Sequence, residues 1–216
     1  MGERSDITVV LAVGGPRRPE LSAALASTAL VVADEPGRER ALIAAADLIP
    51  DVVLLDETDG RAGSGPACLE STLRTPATRL VTLVDADDEL AYETLLQGAF
   101  STVLATTPAD EIVATVRAAA RGESTVVVGS AERLLADARR VTNSGADPYL
   151  PSLRLTDTEQ EVLARRAEGH TPAEIAAMHD VTARLVNLHM GYAVAKVHHH
   201  LQRVRTRDAV SARTER

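Results

Sequence analysis

PDVVLLDETDG, residues 50–60, drives four consecutive aliphatic residues, Val52 to Leu55, into a carboxylate at Asp56 and then into a loop with two further acids. A short continuous apolar run between turn formers is the pattern of a strand covered on both faces, whereas a half-solvated strand alternates. Runs of the same kind recur at ITVVLAV (7–13), ALVVA (29–33), RLVTLV (79–84) and STVL (101–104). Between them apolar residues return at helical spacing, as in Leu21, Ala24 and Leu25, in Leu69 and Leu73, in Leu90, Leu95 and Leu96, and in Ile112, Val113 and Val116. Strand and helix alternate five times, which predicts an α/β fold: a doubly wound, five-stranded parallel sheet with helices on both faces. Asp56 then stands at the C-terminal edge of the sheet, where the strand-end loops converge. It is either a reactive carboxylate or a strand cap.

Composition bounds the function. The 216 residues are 45% hydrophobic but only 2% aromatic, with no Trp and one Phe, so platforms for stacking single-stranded nucleic acid are excluded. Charge is divided unevenly, with 13 Arg against 23 acids in residues 1–150 and 10 Lys plus Arg against 8 acids in residues 151–216, where all six His also lie. An acidic body joined to a mildly basic second module suggests that only the second tolerates a polyanion. Cys68 is the single cysteine and has no basic neighbour in sequence, which reads as an inert thiol. With no signal-peptide pattern at MGERSDITVV and no apolar run near the length of a membrane span, the expected location is cytoplasmic, with no membrane partner.

VTNSGADPYLPS (141–152) is rich in turn formers and reads as a linker. Beyond it the pattern is wholly helical. Thr156 with Glu159 and Thr171 with Glu174 form two capping boxes, the second with Pro172 in the first turn, and Gly169 stops the first helix. Thr182 is placed to cap a third helix and Thr206 a fourth around Ala209 and Val210. Two helices joined by the tight turn His179–Val181 are the arrangement of a helix-turn-helix, all-α and suited to a major groove; a small helical interaction domain is the alternative.

LTDTEQEVLARRAEGHTPAEIA followed by VTARLVNLH resembles the LuxR-type helix-turn-helix of NarL/FixJ response regulators, carried by Leu155, Thr156, Glu159, Glu161, Val162, Leu163, Gly169, Glu174, Ile175, Ala176, Val186 and His189. The five-unit domain resembles that family's receiver through PDVVLLD, Gln97-Gly98-Ala99 and Ala120-Arg121-Gly122. The resemblance implies a receiver-like domain over 1–138, a linker over 139–152 and a DNA-binding domain over 153–216, with no catalysis. One lysine against twenty-two arginines fits a GC-rich genome, and the resemblance extends to orphan regulators of the actinobacterial type.

Departures from the family are specific. The resemblance places the phosphoacceptor at Asp56, but the two acids that hold Mg²⁺ beside it are replaced by Val13 and Gly14. The hydroxyl that reads the phosphoryl group is replaced by Leu83, with Thr82 its polar neighbour, and the lysine by Ala105. Mg²⁺ needs several hard oxygen ligands and neutralises the transferred charge, so one aspartate is not enough. The expectation is a phosphorylation-independent receiver with no cofactor and no metal. Gly14, Gly15 and Pro16 followed by Arg17 and Arg18 leave room for an anion or small-molecule effector at a helix start, although they lack a GxGxxG spacing and two glycines before a proline are more often just a turn.

In the second domain the expected DNA-binding residues are Thr182, Arg184, Leu185, Asn187, Leu188, Gly191 and Lys196, with Arg184 offering the bidentate pattern for guanine and Asn187 that for adenine. Leu185, Asn187 and Gly191 stand where the family is more polar or basic, so one copy is expected to bind weakly. About four extra residues, roughly 6 Å of helix, precede the closing Asp208-Ala209-Val210. His198, His199 and His200 point about 100° apart on a helix and do not converge on one metal ion. The partners implied are double-stranded DNA and either a second copy or a related response regulator; the alternative is an interaction protein that modulates another regulator without binding DNA itself.

Overall fold

The computed structural model describes residues 7–26, 33–35, 38–58, 78–85, 88–143 and 154–214. The helix expected around Leu69 and Leu73, Cys68, the core of the linker and most of the 29–33 strand lie outside these residues. The chain divides into two compact units, Met1–Val127 and Val128–Arg216.

In the first unit β1 (Val9–Ala12), β2 (Ala33–Asp34), β3 (Val52–Asp56), β4 (Arg79–Val84) and β5 (Ser101–Leu104) form one sheet in the order β2-β1-β3-β4-β5. All pairs are parallel, with Ala12 beside Leu55, Leu55 beside Thr82, and Asp56 beside Leu83. This is the doubly wound order with its switch point between β1 and β3, the two strands that lead to the candidate site. Helices α1 (Arg17–Ala26), α2 (Arg38–Leu48), α3 (Asp88–Leu96) and α4 (Ala109–Ala120) follow the strands. Val9–Val13 and Val52–Leu55 are buried throughout, as expected of strands covered on both sides.

The N-terminal edge is tied by Asp51, whose Oδ2 accepts from the Thr8 backbone N–H (2.9 Å) and hydroxyl (2.8 Å). At the other edge Gly15 takes φ +63°, which turns the chain from β1 into α1 without a Cβ penalty. Thr125 to Val127 run beside β5: the Thr102 N–H donates to the Thr125 carbonyl (2.9 Å) and the Val127 N–H to the Thr102 hydroxyl (3.2 Å).

The second unit opens with α5 (Val128–Asn143), which the sequence reading divides at residue 139 between body and linker. The helix instead continues to Asn143 and packs against α6 (Asp157–Ala167), burying Ala131, Leu134, Leu135 and Ala138. Both capping boxes are present at the starts of α6 and α7 (Pro172–Met178). Asp180, at φ +53°, takes the left-handed position of the turn, which Asp tolerates better than most residues.

The last helix corrects one expectation. No separate helix begins at Thr206; α8 runs unbroken from Ala183 to Thr214. After Gly191 the sequence contains neither Gly nor Pro, so nothing stops the helix, and the extra residues add a turn rather than a loop.

Candidate functional site

Asp56 ends β3 half-buried, and its Oδ1 is already engaged: it accepts from the Thr58 N–H (3.0 Å) and the Thr58 hydroxyl (2.6 Å). A carboxylate bonded to its own backbone two residues on is a turn-forming group, so the strand-cap reading describes what this side chain does here. Beside it Val13 is buried and Gly14 half-buried. Leu83 is the lateral neighbour of Asp56 on β4 and is buried, while Ala105 donates its N–H to the Val84 carbonyl (2.8 Å).

Thr82 is the exception among the grouped pocket residues. It pairs with Leu55, not Asp56, and pleating sends it to the opposite face. There it is fully buried, its hydroxyl 3.4 Å from both the Thr94 hydroxyl and the Ser101 carbonyl oxygen. Of the neighbouring acids, Glu57 is buried with its N–H donating to the Leu83 carbonyl (3.0 Å), and Asp59 and Asp87 lie outside the described residues.

Arg17 and Arg18 each hold a partner within the first unit, while Arg17 Nη1 is buried with no hydrogen-bond partner among the described residues. Arg17 Nη2 donates to the Thr107 carbonyl (2.7 Å), joining the start of α1 to the loop after β5, and Arg18 Nε donates to Asp34 Oδ1 (2.8 Å) at the end of β2. Sequence reading missed both roles, because neither the residue spacing nor the charge pattern links positions 17 and 107.

On α8 the buried stripe is Val186, Met190, Ala193, Val194 and Val197, at the spacing of one helical face. The opposite face carries Leu185, 39% exposed, then the half-buried Leu188, Tyr192 at 50%, Ala195 and His199. Arg184 is exposed beside them and Asn187 half-buried. Thr182 caps the helix, its hydroxyl accepting from the Leu185 N–H (3.3 Å).

Two of the expected contact residues stand elsewhere. Gly191 is buried, and Lys196 turns its ammonium into the domain, donating to both oxygens of Glu159 (2.7 and 2.8 Å) and to the Arg154 carbonyl (3.4 Å). Glu159 is buried and also accepts from the Thr156 N–H (2.8 Å), so one carboxylate ties the start of α6 to the middle of α8. At the second cap Glu174 accepts from the Thr171 N–H and hydroxyl, and these bonds hold its carboxyl below its ordinary value.

No family model matches the chain. It is 33% identical over 157 residues to the transcriptional regulatory protein LiaR of Bacillus subtilis, covering 71% of each chain. It belongs to the NarL/LuxR family of response regulators. An uncharacterized transcriptional regulatory protein of B. subtilis, YxjL, is 29% identical over 194 residues (87% of this chain, 83% of that one), and the response regulator protein VraR of Staphylococcus aureus is 27% identical over 168 (77% of each). Among solved structures, the RcsB response regulator of Salmonella typhimurium aligns over 89% of this chain and 92% of its own with a TM-score of 0.46 at 18% identity.

This response regulator is a transcription regulator with a receiver-like first unit and a helix-turn-helix in the second. Its second unit has both caps, the Glu159–Lys196 pair and the buried stripe of α8. No helix among the described residues is long and apolar enough to cross a membrane.

Proposed function

We propose that this response regulator acts on double-stranded DNA through α8 without using phosphorylation of Asp56 as its switch, and that it works as a dimer with itself or with a related response regulator. The observation that carries the reading is the Asp56 carboxylate, bound by Thr58 and flanked by Val13, Gly14, Leu83 and Ala105 in place of acids, a hydroxyl and a lysine. Residues 1–150 hold no lysine to pair with a phosphoryl group there, and Val13 and Gly14 stand where the family's Mg²⁺-holding acids would, so the group has no switch to throw. Acetyl phosphate with Mg²⁺ is expected to leave the intact mass of the protein unchanged, and Asp56→Asn to leave DNA affinity unchanged. A phosphoryl adduct absent from Asp56→Asn overturns the reading.

Dimerisation is proposed from affinity. Over Ala183–His200, the part of α8 that follows the turn, the lysines and arginines are Arg184 and Lys196, and Lys196 is spent on Glu159, so this stretch neutralises few phosphates. A second helix on the next half-site doubles the contacts and fixes their spacing. Genome-wide occupancy, with and without candidate partner regulators, separates the two dimers by the symmetry of the bound motif.

A second reading draws on the apolar character of Leu185 and Tyr192 on the exposed face of α8. Such a face serves equally in a protein that modulates another regulator without touching DNA. Binding to random duplex at low salt decides between them, since the DNA-binding reading fails if none is detected with or without a partner.

A further inference from the structure

The second unit contains a half-open cavity of about 390 Å³, and of the expected DNA-binding residues only Leu185 lines it. Its size falls in the range of small-molecule sites, roughly 300–1,000 Å³. Val162, Ile175 and Val186 form its floor and are core residues, each almost wholly buried. Val181, in the turn, and Leu185, in the first turn of α8, form a wall, and each remains 39% exposed. An apolar group seated between floor and wall removes that residual surface from water.

The rim sets the charge of the occupant. Asp157 and Glu161 lie one turn apart on α6 and both line the cavity. Glu161 Oε1 is held by Arg165 Nε at 2.9 Å, whereas Asp157 is exposed at the rim and is the carboxylate open to a newcomer. His179, its Nε2 3.8 Å from Glu161 Oε1, and His189 also line the cavity, and the His189 ring is braced edge-on by Tyr192 at 6.2 Å. An apolar floor with a carboxylate at its mouth matches an amphipathic cation and repels an anion.

We infer that this cavity binds a small organic amine, its apolar body on Val162, Ile175 and Val186 and its ammonium at Asp157. The occupant touches Val181 and Leu185, and so contacts the turn and the start of the helix proposed to enter DNA. Its positive charge offsets the acids of α6 beside that helix, so amine and DNA strengthen each other's binding. This coupling rests on the DNA-binding reading, but occupancy of the cavity does not.

The test is a titration of the full chain, labelled at Ile, Leu and Val methyls, with 2-phenylethylamine, followed by NMR. Saturable shifts are expected at Val162, Ile175, Val181, Leu185 and Val186. The neutral isostere 2-phenylethanol is expected to bind at least about tenfold more weakly, for loss of the charge-assisted bond, and 3-phenylpropanoate not to bind. Thr158→Phe, at an exposed rim position, fills the mouth and is expected to abolish the shifts, while Asp157→Asn closes the gap between amine and alcohol. No saturable shift with any of the three ligands, shifts that survive Thr158→Phe, or equal binding of amine and alcohol to the parent chain each overturn the inference. A duplex titration with and without the amine is expected to show a severalfold gain in affinity. If no duplex binds while the methyl shifts saturate, the DNA-binding reading fails and the cavity assignment stands.

Discussion

At the scale of single residues, Asp56 illustrates how a position can outlast its chemistry. Four aliphatics and a carboxylate specify a strand and where it ends, and the strand needs only the turn that Asp56 makes with Thr58. What the carboxylate can react with depends on partners from three other strand ends, each tens of residues away in sequence. Their replacement by Val13, Gly14, Leu83 and Ala105 was legible once the family pattern was laid on the chain, because each is an identity at a fixed offset. The inward turn of Thr82 was legible in principle too, since pleating alternates, but it required the register with β3. Ile49 was not legible. It follows α2 at φ +48° and is 55% exposed, a left-handed position that a β-branched residue occupies at a cost of roughly 1–2 kcal/mol. Ile49→Asn is therefore expected to raise unfolding stability by about 1 kcal/mol in urea titration, because Asn enters that region more readily.

At the scale of elements, the helix starts were the most legible part of the chain. A capping box is a local code in which two residues three apart satisfy each other's backbone, and nothing distant overrides it. The end of α8 was less so, because Thr206 looks like a cap only if a preceding residue stops the helix. The box at α7 has a pH signature. Glu174 has its folded carboxyl held below its ordinary 4.5, first by the Thr171 backbone N–H and then by the Thr171 hydroxyl. Depression means that its contribution is fully present above the unfolded value and is lost as pH falls below 4.5 and through the depressed value. Helical content is expected to fall on acidification in that window, and Glu174→Gln, which keeps an acceptor for the same donors, should flatten this part of the profile; an unchanged acid titration in the Gln variant counts against the assignment. The same scale separates Arg184 from Lys196. Arg184→Ala is expected to reduce the slope of log affinity against log salt by about 0.9 per protomer if Arg184 neutralises one phosphate. Lys196→Ala should leave that slope alone and instead cost about 2–3 kcal/mol of folding stability, since it strands the buried Glu159 carboxylate.

At the scale of the whole molecule, composition pointed to an acidic α/β part and a mildly basic helical part, but it did not say which part owns α5. The compositional shift lies in the Gly- and Pro-containing stretch after α5, whereas the physical division depends on where the buried face of α5 is spent. That face, Ala131, Leu134, Leu135 and Ala138, groups with α6 and the second unit, and the identity of a helix's packing partner is not written in its own periodicity. The consequence can be measured on fragments. A piece spanning residues 128–216 retains α5 and the surface it covers on α6; one spanning 153–216 loses α5 and exposes that surface to water. Burying two leucines and two alanines is worth about 3–5 kcal/mol before the entropy of ordering sixteen residues is subtracted. The longer fragment is therefore expected to melt at the higher temperature by circular dichroism, and Leu134→Ala, which removes a fully buried side chain, should lower it by the equivalent of about 2–4 kcal/mol. Equal melting of the two fragments would mean that α5 adds nothing to the second unit, and would return the helix to the α/β part, where the sequence reading began it.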